Sequence, residues 1–184
     1  MQLALVDMAK GGDREAFDAL ARTVGDQCMS IAYAILRDFD QAEDAVQAAL
    51  ITAWQQLRSL READRFEAWL HRILTNECYA EARRRSRRRV EMRVLRLPVQ
   101  PEPADILTVN DRDQLERAFR RLTLDQRAVL VFHYYVGLPV PEVADRLGIP
   151  LGTAKSRLHH ATVALRASLE ADARTLPVAQ EHLA

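Results

Sequence analysis

The chain has 184 residues, 48% hydrophobic and 28% charged, with a formal net charge of zero. This balance excludes intrinsic disorder and supplies enough apolar surface for one ordinary domain or two small ones. No apolar run reaches the roughly 18 residues of a membrane span, and the amino end lacks the basic-then-apolar pattern of a signal peptide, so a cytoplasmic protein is expected.

The zero sum hides a segregation of charge. Residues 1–82 carry 8 basic and 14 acidic side chains, whereas residues 83–96 carry eight arginines against Glu91 alone. Cys28 and Cys78 have neither CxxC spacing nor the density of a disulfide scaffold and read as buried thiols, with no metal site.

From Asp13 onward, Phe17, Leu20, Val24, Cys28, Ile31 and Ile35 recur at spacings of three or four, the period of an amphipathic helix with Asp13 as its N-cap. A second helix is predicted to start at Asp40, which pairs with Glu43 in a capping-box-like arrangement, and to bury Ala42, Val46, Ala49, Ala53, Leu57 and Leu60. After a polar stretch, a third helix gathers Phe66, Trp69, Leu70, Ile73, Leu74 and Cys78 on one side and runs into the arginine cluster. Residues 97–110 read LPVQPEPADILTVN, with Pro98, Pro101 and Pro103 close together and only acidic charges. That composition resists helix and favours an extended connection.

Helical periodicity resumes with Leu115, Ala118, Phe119 and Leu122, and Thr123 with Gln126 forms a capping box. Residues 129–136 are β-branched and aromatic enough for a strand, but the cap before them and the lack of a partner strand favour helix. The fold class expected is all-α: two small helical domains, residues 1–96 and 111–171, joined by the proline-rich linker 97–110 and followed by a frayed tail, 172–184.

Residues 140–169, VPEVADRLGIPLGTAKSRLHHATVALRASL, carry the sharpest local pattern. Val143, Ala144 and Leu147 form the apolar face of a short helix, Gly148 to Pro150 break it, and Ala154, Leu158, Ala161 and Leu165 line a second helix. This is a helix-turn-helix. Thr153, Lys155, Ser156, Arg157, His159 and His160 remain outward near the start of the second helix, where a recognition helix contacts bases and phosphates in the major groove. On the third helix, Arg72, Asn76, Arg83 and Arg87, with Arg84 in the same cluster, offer a basic rail for phosphates, and Asn76 can present donor and acceptor to a base edge. There is no GxSxG, HExxH or GxGxxG, and adjacent His159 and His160 point about 100° apart around a helix, so neither an enzyme, a cofactor nor a small-molecule substrate is expected.

These segments resemble the extracytoplasmic-function sigma factors of bacterial RNA polymerase. In the first half the resemblance rests on REAFDAL, RDFDQAEDAVQAALITAWQQL and RFEAWLHRILTNECYAEARRR, and in the second on LTLDQRAVLVFHYYVGLPVPEVADRLGIPLGTAKSRL. It implies that the chain binds core polymerase, on the clamp coiled coil of the largest subunit and on the flap, and directs it to promoter DNA. The helix over residues 40–57 would be the polymerase contact, through Asp40, Glu43, Asp44 and Gln47; Ala48 stands where relatives commonly carry an acidic residue. Arg72, Asn76, Arg83, Arg84 and Arg87 would read the melted minus-ten element. The loop of Ser59, Leu60, Arg61, Glu62, Ala63 and Asp64 would receive a flipped-out base. The linker, with Glu102 and Asp105, would thread the polymerase cleft. The outward residues of GTAKSRL and the two histidines would read the minus-thirty-five element, with His160 where an arginine is frequent. An anti-sigma partner, in many relatives membrane-bound, is also implied. The nearest rival is a LuxR-type transcriptional regulator, which shares the helix-turn-helix but leaves the first half unexplained.

Overall fold

In a computed structural model of the protein, residues 2–94 and 111–175 are described, and all of their regular structure is helical. The helices are α1 (Gln2–Lys10), α2 (Arg14–Leu36), α3 (Phe39–Gln56), α4 (Phe66–Val94), α5 (Asp111–Arg121), α6 (Leu124–Leu130), α7 (Val140–Leu147) and α8 (Leu151–Thr175). The linker 97–110 and the chain after residue 175 lie outside the described residues.

Local chemistry sets the helix ends. Asp13 accepts from the Ala16 amide at 3.1 Å, as its sequence position predicts. At α3 the cap is Asp38, not Asp40: Asp38 has an extended backbone (φ −149°, ψ 123°) and accepts from the Gln41 amide at 3.0 Å, while Asp40 lies in the first turn. Only a residue outside the helical φ/ψ basin can turn its side chain back onto the orphan amides, so the earlier aspartate takes the role. Asp40 there still favours the positive end of the helix dipole. Thr123 and Gln126 form the expected reciprocal capping box.

Residues 129–136 are helical rather than strand, with a departure from the α form. Val131 to Tyr135 make a π-helical turn in which the Val136 amide donates to the Val131 carbonyl at 3.0 Å. The segment ends at Gly137, whose φ of +81° suits a residue without a Cβ. The first helix, α1, carries no periodic signature long enough to predict it. It forms because Val6 and Ala9 bury against α2.

α2, α3 and α4 pack around Leu20, Ile31, Ile35, Ala49, Leu57, Leu70 and Leu74, all nearly inaccessible to solvent. Truncating one of these leucines to alanine typically costs about 2–5 kcal/mol. α5 to α8 pack around Leu122, Val129, Leu130, Phe132, Val143, Ala154 and Ala161. The two groups do not stand apart as two separately closed cores. Buried side chains of both form one continuous cluster, with α2 against α6 and α4 against α7.

The carboxyl end also departs from the expected boundary at residue 171. α8 continues to Thr175, and Asp172 is buried, 2.7 Å from the Arg121 guanidinium and 3.5 Å from that of Arg117. Ion pairing inside the fold thus holds a turn that composition alone reads as fray.

Candidate nucleic-acid interface

The helix-turn-helix is formed by α7 and α8. Gly148 caps α7 in the left-handed conformation (φ 64°, ψ 36°), its amide reaching the Ala144 and Asp145 carbonyls, and Ala154 and Ala161 fix α8 against the core. Alanine at both positions brings the second helix close while leaving its other face free. Lys155, Ser156, His159 and His160 are exposed, and Thr153 and Arg157 are half-buried. The Ser156 hydroxyl donates to the Thr153 carbonyl at 3.1 Å, and the two histidine rings sit 5.5 Å apart at a steep angle.

On α4, Arg72, Asn76, Arg83 and Arg87 are exposed, opposite buried Leu70, Ile73 and Leu74. The arginine cluster is not uniform. Arg84 pairs with Glu81 at 2.7 Å, and Arg85 reaches across to Asp38 at the start of α3. Burial raises the Asp38 carboxyl, but the Gln41 amide and the Arg85 guanidinium outweigh it and hold the group below its ordinary value. Arg85 therefore clamps α3 to α4.

The loop between α3 and α4 holds two short 3₁₀ turns, Leu57–Ser59 and Ala63–Arg65. Arg61, Glu62 and Asp64 are exposed, and Glu62 pairs with Arg65 at 2.6 Å. Ser59 is exposed with its hydroxyl on the Gln56 carbonyl at 2.7 Å, whereas Leu60 is buried in the core and anchors the loop. Trp69 is half-buried, 6.1 Å from the Phe66 ring. On α3, Asp40, Glu43, Asp44 and Gln47 all face solvent, flanked by exposed Phe39 and Ile51. Polar groups beside isolated large apolar ones on one helix face suit a protein partner.

The structure brings these surfaces together in a way the sequence does not indicate. The Tyr79 hydroxyl of α4 donates to Asp125 of α6 at 2.5 Å, and Arg157 of α8 reaches the other oxygen of Asp125 at 3.2 Å. Burial and then the Asp125 bond push the Tyr79 phenol up from its usual value. Glu116 of α5 accepts from Tyr33 at 3.3 Å and pairs with Arg37, which also stacks over the Tyr33 ring at 5.0 Å. Buried His71 of α4 packs 5.6 Å from the Phe132 ring. Burial, together with the Arg146 charge and against that of Glu67, lowers its pKa. Cys28 and Cys78 are buried thiols, raised by that burial to about 11 and about 12.

Sigma-70 region 2 matches residues 20–88, and Sigma-70 region 4 matches residues 112–165. The chain is also 34% identical over 166 residues to the ECF RNA polymerase sigma factor SigL of Mycobacterium tuberculosis, covering 86% of this chain and 94% of that protein. It belongs to the extracytoplasmic-function sigma factors.

SigW of Bacillus subtilis is 28% identical, over 89% of this sigma factor and 94% of its own length. The sigma factor RpoE of Bartonella quintana, solved with the anti-sigma factor NepR, superposes with a TM-score of 0.67 at 29% identity, covering 85% of this chain and 98% of that one. CnrH, solved with the cytosolic domain of CnrY, gives 0.65 at 27% identity, covering 93% and 98%. The region 2 match accounts for the first half of this sigma factor, which the LuxR-type alternative does not. Among the described residues, no helix is long and apolar enough to cross a membrane.

Sequence reasoning singled out the outward residues of α3, α4 and α8 but missed Tyr79, Asp125 and Arg146. Tyr79 follows directly on buried Cys78, and Asp125 sits in the first turn of α6, where an acidic residue is ordinary. Neither has a sequence signal apart from its partner.

Proposed function

We propose that this sigma factor binds core RNA polymerase through the exposed face of α3, with Asp40, Glu43, Asp44 and Gln47 at the contact, and directs it to a two-part promoter. Residues 1–96 act as the polymerase- and minus-ten-binding unit, 111–171 as the minus-thirty-five-binding unit, and 97–110 as the connection between them. Arg72, Asn76, Arg83 and Arg87 contact the melted minus-ten strand, with Arg84 available once released from Glu81. The loop of residues 59–64 receives a flipped base, with Leu60 as anchor rather than contact. Thr153, Lys155, Ser156, Arg157, His159 and His160 meet the minus-thirty-five duplex. The protein acts by binding, in the cytoplasm, without catalysing a reaction, and an anti-sigma protein restrains it as NepR is found on RpoE.

The observation that carries this reading is the presence, in order on one chain, of both matched regions, each with an exposed basic or amide-bearing helix face. The packed arrangement adds a condition. Arg157 is held by Asp125, and Arg72 lies beside the turn of the helix-turn-helix, so the two DNA-reading faces become fully available only when the halves separate. In vitro transcription from a genomic fragment library tests the function directly. Core polymerase with this protein should yield discrete new start sites carrying a shared upstream pair of elements; transcripts identical with and without it would refute the assignment.

A further inference from the structure

The packing of the two halves leaves a cleft of about 880 Å³ between the α3–α4 loop and the helix-turn-helix. One wall carries Arg61, Arg65, Trp69 and Arg72, and the other carries Asp145 and Arg146 beside the turn at Gly148. Four arginines thus line one space. The carboxylates on it are Glu62 and Asp145, and Glu62 is already paired with Arg65. Among the described residues, Arg61 and Arg72 have no carboxylate partner. Arg146 pairs only loosely, at 3.6 Å, with Glu142, which is not on the cleft, so its guanidinium charge is weakly compensated there.

We propose that this cleft is a binding site for a phosphate-bearing anion, and that its occupancy holds the two halves of the free protein together. Arginine forks match phosphate oxygens in pairs, and the excess of two positive charges suits at least a dianion. The space is too large for a lone carboxylate and accommodates a di- or triphosphate. Trp69 on the wall offers a ring to a base, so both inorganic pyrophosphate and a free nucleotide share the required chemistry. Because Arg61 and Arg72 come from α4 and its loop while Arg146 comes from α7, the site exists only in the packed arrangement. A ligand of one state favours that state by mass action. Binding is a property of the free chain and does not depend on the polymerase reading; only its consequence, masking of Arg72, rests on that reading.

Calorimetric titration of the full chain with inorganic pyrophosphate, and separately with ATP, tests the site. One saturable equivalent is expected, accompanied by a raised unfolding temperature and a shortened distance between fluorophores placed on α3 and on the carboxyl-terminal part of α8. Tighter binding of ATP would assign the base to Trp69, and equal binding would assign the site to phosphate alone. Arg146→Gln should weaken binding by about tenfold or more, whereas Arg166→Gln, on the exposed side of α8, should not. Arg146→Lys, which keeps the charge but not the fork, should fall between them and guards against a folding defect in the glutamine variant. Absence of saturable binding by the wild-type chain, or binding equal in wild type and both Arg146 variants, would overturn the proposal. In vitro transcription with core polymerase, run in parallel, reports on the sigma function separately.

Discussion

Arg157 of α8 is 3.2 Å from Asp125, whose other oxygen accepts from the Tyr79 hydroxyl at 2.5 Å. One carboxylate thus ties the helix expected to enter DNA to the helix expected to hold the opposite promoter element. Arg157 and Asp125 are 31% and 43% exposed, so the ion pair itself is worth at most about 1 kcal/mol, and the phenol hydrogen bond contributes about the same. Asp125→Ala should therefore favour separation of the halves by roughly fivefold to thirtyfold. Fluorescence anisotropy of the free protein on a minus-thirty-five duplex should rise accordingly, and Tyr79→Phe should give a smaller effect in the same direction. Unchanged affinity in both variants would show that the packing does not restrain Arg157.

Asp44→Arg combined with Gln47→Ala reverses a charge and removes an amide on the exposed face of α3 without touching the core. The circular dichroism spectrum should stay the same while co-purification with core polymerase falls by about tenfold or more, the loss expected when a contact is replaced by a like-charge clash. Normal co-purification would move the polymerase contact elsewhere.

His71 gives the packed state a pH dependence. Its folded pKa is lowered, by burial first and by Arg146 of α7 next, with Glu67 opposing, and its ring packs against the uncharged Phe132 ring. The unfolded chain binds the proton more readily, so the stability due to neutral His71 is complete above the ordinary value near 6.5 and is lost as pH falls through and below it. Thermal unfolding should shift to lower temperature between about pH 7 and pH 5.5, in the region where an unperturbed histidine begins to charge. His71→Leu should flatten that shift. The carboxylates Asp38 and Glu116, both lowered, act in a separate window: their stabilisation holds above their ordinary values of 3.8 and 4.5 and fades only as pH falls beneath them.

Within α8, Lys155 and Arg157 should differ in kind. Lys155 is exposed and free to meet a phosphate, so Lys155→Ala should weaken binding to all templates and reduce the salt slope by about 0.9. Arg157→Ala should instead relax preference at particular base pairs, by about 1–3 kcal/mol each if the guanidinium reads a guanine. A filter-binding salt series on matched and mismatched sites separates the two. Equal loss on every site would make Arg157 a phosphate contact.

The helical order and the helix-turn-helix were legible because each rests on periods of three and four and on caps close in sequence: Asp13, Thr123 and Gln126, and Gly148. The choice of Asp38 over Asp40 was not, because two aspartates flank Phe39 and only backbone geometry decides which can turn back onto the amides. The arginine cluster was legible as charge but not as pairing. Arg85 finds Asp38 across 47 positions, and no local pattern separates it from Arg83 or Arg87. The packing of the two halves was beyond reach for the same reason. Tyr79 and Asp125 are 46 residues apart, and their side chains are of types that serve equally well on a solvated surface.

The two buried thiols turn this molecule into its own clock. With Cys28 and Cys78 raised to about 11 and 12, no more than about one thiol in ten thousand is ionised at neutral pH, and both lie out of reach of dissolved reagents. Peroxides and alkylating agents should therefore react slowly with the folded chain. The labelling rate of the two cysteines in the test tube then measures how often the bundle of α2, α3 and α4 opens, without any engineered probe.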